Sequence, residues 1–104
     1  MTTTAIRLAA SSEIPEGEGR RFDVDGRAAI AIFRVEGALH AIDDRCTHGA
    51  ASLAEGWLEG DQIECPVHQG RFCLRTGKPM CFPVTEPVAV HHIVERDGSI
   101  YFLG

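Results

Sequence analysis

The apolar positions of this chain fall in many short runs punctuated by turn residues, and no window sustains an apolar period of 3.6 over three turns. That pattern predicts an all-β protein. The expected strands are Ala5–Ala9, Arg20–Val24, Ala28–Val35, Ala38–Ile42, Gln62–Cys65, Arg71–Leu74, Val88–Glu95 and Ser99–Leu103. Asp25-Gly26, Glu36-Gly37 and Asp97-Gly98 stand between neighbouring strands, where a two-residue loop with positive φ matches strand twist, so each reads as a hairpin. Between the first two strands, Ser11 to Gly19 is polar and contains glycine, the best candidate for local mobility.

From about Asp43 to about Pro83 the meander changes character. The segment is rich in Gly, Pro, Cys and His, with strands too short to form a core unaided. The expected architecture is a single domain over residues 1–104. Its base is a small antiparallel β-sandwich or barrel of residues 1–42 and 84–104, with a subdomain of residues 43–83 inserted into it. A rigid base presenting functional loops is a common division of labour.

A chain of 104 residues is the size of one domain. A net charge of -5 argues against nucleic acid or an anionic membrane surface as partner. The residues from Met1 to Ala10 hold no apolar run of signal-peptide length, and Arg20-Arg21 is followed by Phe22-Asp23-Val24 rather than an export segment. No stretch approaches the roughly 18 apolar residues of a spanning helix. A cytoplasmic protein with no membrane association is expected.

Two short words carry the chemistry: Cys46-Thr47-His48 and Cys65-Pro66-Val67-His68. Each offers one thiolate and one imidazole, so Cys46, His48, Cys65 and His68 form a candidate metal site of four ligands. A zinc finger usually places its cysteines in one hook and its histidines in the other. Here each hook is mixed, which suits two sulfide-bridged irons, one held by both cysteines and the other by both histidines. A structural zinc module that mediates protein contacts is the alternative.

With these words at its centre, the chain resembles the Rieske family from about Val35 to about Val84. Within that family, Cys46-Thr47-His48-Gly49-Ala50 and Gly70-Arg71-Phe72-Cys73-Leu74-Arg75-Thr76-Gly77-Lys78 are similar to the small ferredoxins of bacterial aromatic-ring-hydroxylating dioxygenases. The resemblance implies one Rieske-type 2Fe-2S cluster at the tip of a small sheet subdomain. It implies a monomeric one-electron carrier, not an enzyme, that runs from a flavin-containing, NAD(P)H-dependent ferredoxin reductase to a terminal Rieske non-haem iron oxygenase. The small Rieske-like subunit of an assimilatory nitrite reductase is a second alternative.

The resemblance also bears on potential. High-potential respiratory relatives carry a disulfide between positions occupied here by Ala51 and Val67, and hydroxyls at positions occupied by Gly70 and Phe72. Lacking both, this chain is expected near the low end of the family range, about -150 mV rather than +300 mV. Pro79 aligns with a loop that covers the cluster in relatives, and an ordinary turn proline is the equal alternative.

Several other residues invite a role. Gly49 and Gly70 follow the ligand words, where close backbone approach or positive φ would require glycine. Cys73 and Cys81 are expected to be small buried hydrophobes, and Trp57 a packing aromatic. His91-His92 lies in a strand, so its members face opposite ways and cannot chelate together. His40 reads as a surface or packed histidine. The carboxylates Glu55, Glu59, Asp61 and Glu64 read as a solvated face that could steer a basic partner, although Arg71, Arg75 and Lys78 cut across it.

Overall fold

The computed structural model describes residues 5–67, 69–81 and 84–103. Its strands are β1 (Ile6–Ala10), β2 (Gly19–Phe22), β3 (Ile30–Val35), β4 (Ala38–Asp43), β5 (Trp57–Glu59), β6 (Gln62–Glu64), β7 (Arg71–Cys73), β8 (Pro79–Cys81), β9 (Val90–His91), β10 (Ile93–Arg96) and β11 (Ser99–Phe102). They form three antiparallel sheets in the orders β1-β11-β10, β2-β3-β4-β9 and β5-β6-β7-β8. The all-β expectation is met.

β3 organises the packing because both of its faces are covered. Ile30 and Ile32 point into a core with Ile14, Val24, Ala41, Ile100 and Phe102, between the first two sheets. Ala31 and Phe33 point the other way, into a core shared with Ile42, Cys46, Leu53, Ile63, Cys65, Phe72, Leu74, Val84 and Val88. The register explains the division, since Ile32 pairs with Ala41 and Ala31 with Ile42, and cross-strand partners share a face.

Glu36-Gly37 and Asp97-Gly98 are the tight hairpin turns expected of them. Both residues of each have positive φ, and the flanking pairs Val35–Ala38 and Arg96–Ser99 close directly over them. Asp25-Gly26 differs. Gly26 has φ 79° and the Arg27 N–H donates to the Val24 carbonyl at 3.2 Å, but the β2–β3 ladder ends at Phe22–Ile30. It is the tip of a wide loop rather than a two-residue connection.

The expected strand Val88–Glu95 breaks at His92, because its two halves serve different sheets. β9 pairs with β4, whereas β10 pairs with β11. Such a switch turns the corner of a sandwich. Two strands were absent from the sequence pattern, β5 and β8, each of three residues. They are edge strands recruited by their neighbours, and Pro79 begins one of them, where its missing N–H costs no ladder bond. Pro79 is therefore a half-buried strand residue opposite Phe72, not part of a covering loop.

The segment from Ser11 to Gly19 is hydrogen-bonded to the β3–β4 hairpin and buries one side chain. Ile14 is fully buried, and Ser11–Glu13 forms a 3₁₀ turn. Arg34, 16% exposed, donates from Nε to the Ile14 carbonyl at 2.7 Å, from Nη1 to Gly37 O at 3.2 Å and from Nη2 to Ser11 Oγ at 2.7 Å. One guanidinium thus joins the segment to the β3–β4 turn, a task its rigid fork suits and a lysine's point charge does not. Arg34→Lys is expected to cost about 2 kcal/mol by leaving carbonyls short of donors. A thermal melt indistinguishable from the native one would contradict that account.

Candidate metal centre

The first hook leaves the end of β4. The Asp44 carbonyl accepts the Leu53 N–H at 2.7 Å, Arg45 bridges to Ser52, and the Cys46 N–H donates to the Ala51 carbonyl at 3.0 Å. These bonds pinch residues 46–51 into a closed loop. The second hook leaves β6 and returns to β7, with the Cys65 N–H donating to the Gly70 carbonyl at 2.7 Å. Positive φ within it falls on Gln69, at 61°, not on Gly70.

Gly70 is required for a different reason. A Cβ there would lie 2.5 Å from Cγ1 of Val84, so the segment after β8 packs directly on the second hook. The first hook touches the same segment, since the Thr47 hydroxyl donates to the Glu86 carbonyl at 2.8 Å. Gly49 has no positive φ and nothing within 4 Å of a built Cβ, so neither expected requirement acts on it through protein atoms.

Cys46 and Cys65 are both buried, one from each hook, and His48 is exposed. All three line a cavity of about 140 Å³ together with Ala51 and Val67. Burial pushes the Cys65 thiol up to about 11, with the Val67 N–H opposing the shift and the Cys46 thiol, within hydrogen-bonding reach, adding to it. A buried thiol that resists ionisation, with a second cysteine beside it, calls for a cation, because a coordinating metal takes the thiolate form outright. His68 lies outside the described residues. Among the described residues no three His, Cys, Asp or Glu side chains converge as a group that could hold one metal ion. The donors that are described, a dry thiol pair inside and an imidazole at the surface, fit a centre whose two metals have different ligands.

The remaining candidates separate clearly. Cys73 is half-buried and Cys81 exposed, which corrects the expectation of buried hydrophobes. The hydroxyl of Thr76 chiefly holds the Cys73 thiol below its ordinary range. Trp57 is 58% exposed rather than packed, because β5 turns it outward beside Glu64. Of the four carboxylates between the hooks, Glu64 pairs with Arg71 at 3.1 Å and Asp61 with Arg75 at 2.9 Å, leaving Glu55 and Glu59 to make the acidic face. His91 donates from Nε2 to Asp43 Oδ1 at 2.7 Å while His92 is exposed, so the pair does not chelate. His40 is half-buried, and its burial, followed by Arg75, holds it below the ordinary histidine range.

Sequence reasoning missed Asp44, a charged residue buried at the root of the first hook. A carboxylate ending an apolar strand just ahead of a ligand word was the available signal.

The family model of the Rieske [2Fe-2S] domain matches residues 4–92, and the chain belongs to that family. Over 90 residues it is 47% identical to the 3-phenylpropionate/cinnamic acid dioxygenase ferredoxin subunit of Photorhabdus laumondii subsp. laumondii, across 86% of this chain and 84% of that one. It is a ferredoxin, an electron carrier and not itself a catalyst, and its cofactor is one Rieske-type [2Fe-2S] cluster.

A solved complex of reduced oxygenase and oxidized ferredoxin in carbazole 1,9a-dioxygenase contains a chain that superposes with TM-score 0.91 and 40% identity, covering 99% of this chain and 95% of that one. A putative nitrite reductase (NADPH) small subunit has TM-score 0.82 over 97% of this chain and 99% of its own, at 17% identity, a likeness of fold alone. Among the described residues no helix is long and apolar enough to cross a membrane.

Proposed function

We propose that Cys46 and Cys65 hold one iron of the cluster and His48 and His68 the other. The protein then carries single electrons from a flavin-containing, NAD(P)H-dependent reductase to a terminal aromatic-ring-hydroxylating oxygenase, working as a monomer in the cytoplasm. The observation that carries the reading is the polarity of the cavity: two buried thiols face each other, and the His48 end of the same cavity opens to solvent.

Bound between the hooks, the cluster supplies a site for one electron, favoured on the iron whose imidazole ligands are neutral. The chain does the rest. Cys46 and Cys65 anchor the dry side within the core that Ala31 and Phe33 of β3 close. His48 presents an edge to the partner, where the distance an electron must cross is shortest. Gly70 and Phe72 offer no hydroxyl to stabilise added negative charge. Residues 43–83 act as the cluster-binding subdomain on a base of residues 1–42 and 84–104.

The named partners draw support from the relatives, one a ferredoxin subunit of an aromatic-acid dioxygenase and one a ferredoxin in complex with its oxygenase. The nitrite reductase alternative has only a shared fold behind it.

Electron paramagnetic resonance of the dithionite-reduced protein tests the ligand set. Mixed cysteine and histidine ligation lowers the average g value below that of an all-cysteine cluster, and the accompanying midpoint is expected near about -150 mV. An all-cysteine signal, or a midpoint above about +100 mV, would overturn this reading. Reduction by a flavoprotein reductase, followed by reoxidation by a ring-hydroxylating oxygenase, tests the route.

A further inference from the structure

Asp44 is 5% exposed and is the one charged side chain buried among the described residues. Its oxygen Oδ1 accepts the Ser52 hydroxyl at 2.9 Å and the Ala54 N–H at 3.0 Å, while its own carbonyl takes the Leu53 N–H at 2.7 Å. Three bonds therefore run from one residue, two before Cys46, to the far limb of the first hook. Ser52 does not cap the 3₁₀ turn Leu53–Glu55 with its own side chain. The donor that such a cap would satisfy is met by Asp44 from across the hook.

A neutral acceptor could make the same bonds. Burying a carboxylate is costly unless it is fully paired, and the pairing here is incomplete. Oδ2 faces Arg21 Nε at 3.8 Å, and that guanidinium is 57% exposed and also engaged by Asp23 at 3.1 Å. The charge is thus held beside the metal centre with a weak, water-screened partner. A buried charge is screened little by salt.

We propose that Asp44 is the positioning residue of the first ligand hook, and that its buried carboxylate holds down the reduction potential of the cluster while Arg21 moderates that effect. The inference rests on the reading that Cys46 is a ligand. Its sign follows from Coulomb's law: a fixed negative charge opposes the arrival of an electron, and a nearby cation favours it.

Three variants of the loaded protein decide the matter. Asp44→Asn keeps an oxygen for Ser52 and Ala54 but removes the charge, so the reduction equilibrium constant is expected to rise about tenfold, which is 59 mV for one electron. Arg21→Gln is expected to move the midpoint the opposite way by a smaller amount. Asp44→Ala removes the bonds as well, and should release iron to a chelator at least tenfold faster than Asp44→Asn does.

A merely structural role would not give opposite signs for Asp44→Asn and Arg21→Gln. An unchanged midpoint in Asp44→Asn overturns the electrostatic part, and native iron retention in Asp44→Ala overturns the positioning part. Should Asp44→Asn fail to take up the cluster, Arg21→Gln decides alone: a lowered midpoint supports the proposal, and an unchanged or raised one overturns it. If the native protein lacks a Rieske resonance, the ligand reading has failed instead, so the two failures are distinguishable.

Discussion

Cys65→Ala is expected to give a colourless protein that folds but binds neither iron nor sulfide. The side chain removed is small, and its replacement by alanine leaves Ile63, Phe72 and Leu74 to close the surrounding core. Loss of the cluster, by contrast, is expected to be complete. The Cys65 thiol, pushed up to about 11 by burial, receives the Val67 N–H and lies within reach of Cys46. These features have no other evident purpose than to hold a thiolate once a cation compensates it. With one thiol gone, the iron proposed to sit on the cysteine side would keep a single protein ligand, and the described side chains of Ala50, Ala51 and Val67 in the cavity wall carry no replacement oxygen or nitrogen.

Iron and acid-labile sulfide analysis, with visible absorbance, reads the result. Cys73→Ala and Cys81→Ala are the controls, because both residues lie outside the cavity on β7 and β8 and should leave the cluster content at the native level. A Cys65→Ala protein that retained a full complement of iron would remove Cys65 from the ligand set.

The second large effect is expected at Gly77, which lies outside both ligand words. Gly77 has φ 76°, and a Cβ built there would meet the carbonyl oxygen of Val88 at 2.0 Å. The close approach exists because Gly77 O accepts the Val88 N–H at 2.9 Å, and Gly77 N–H donates to Cys73 O at 2.7 Å. Gly77→Ala therefore incurs the left-handed cost of about 1–2 kcal/mol and must also displace backbone that carries a core residue. A total of about 3 kcal/mol or more is expected, which at about 4 °C per kcal/mol or above lowers the melting temperature by more than roughly 10 °C.

Gly37→Ala isolates the conformational part. Gly37 has φ 80° with nothing within 4 Å of a built Cβ, so its variant bears the conformational cost alone. Equal melting temperatures for the two variants would refute the close-approach account. Gly77→Ala should also shorten the life of the cluster, because Val84 and Val88 share a core with Cys46 and Cys65.

What could be read from the sequence was what is local. Cys-x-His and Cys-x-x-His declare their chemistry within a few residues, and Glu36-Gly37 and Asp97-Gly98 declare turns because two adjacent residues fix the geometry. The strands around them carried alternation enough to be seen. β5 and β8 did not, since three residues cannot display a period and their pairing comes from β6 and β7. Trp57 was misjudged because exposure depends on which face of β5 it joins, and β5 itself was invisible.

The candidate site shows the same limit. The two ligand words were plain, but the parts that hold them are long-range. Val84 fills the space above Gly70, Glu86 takes the Thr47 hydroxyl, and Asp44 reaches Ser52 and Ala54. Each of these depends on which loops meet. Spacing along the chain carries no record of such meetings, and a glycine needed for room looks identical to one needed for its φ.

β3 gives the molecule a party wall. Ile32 and Phe33 are neighbours in sequence, yet each supports a different core, and a displacement of one is delivered through the backbone to the other. The redox end therefore has no independent existence. Cut away from Ala31 and Phe33, the residues that surround the thiols would lose the surface against which they close, so the hooks cannot be transplanted without their wall, nor the base loosened without loosening the grip on iron.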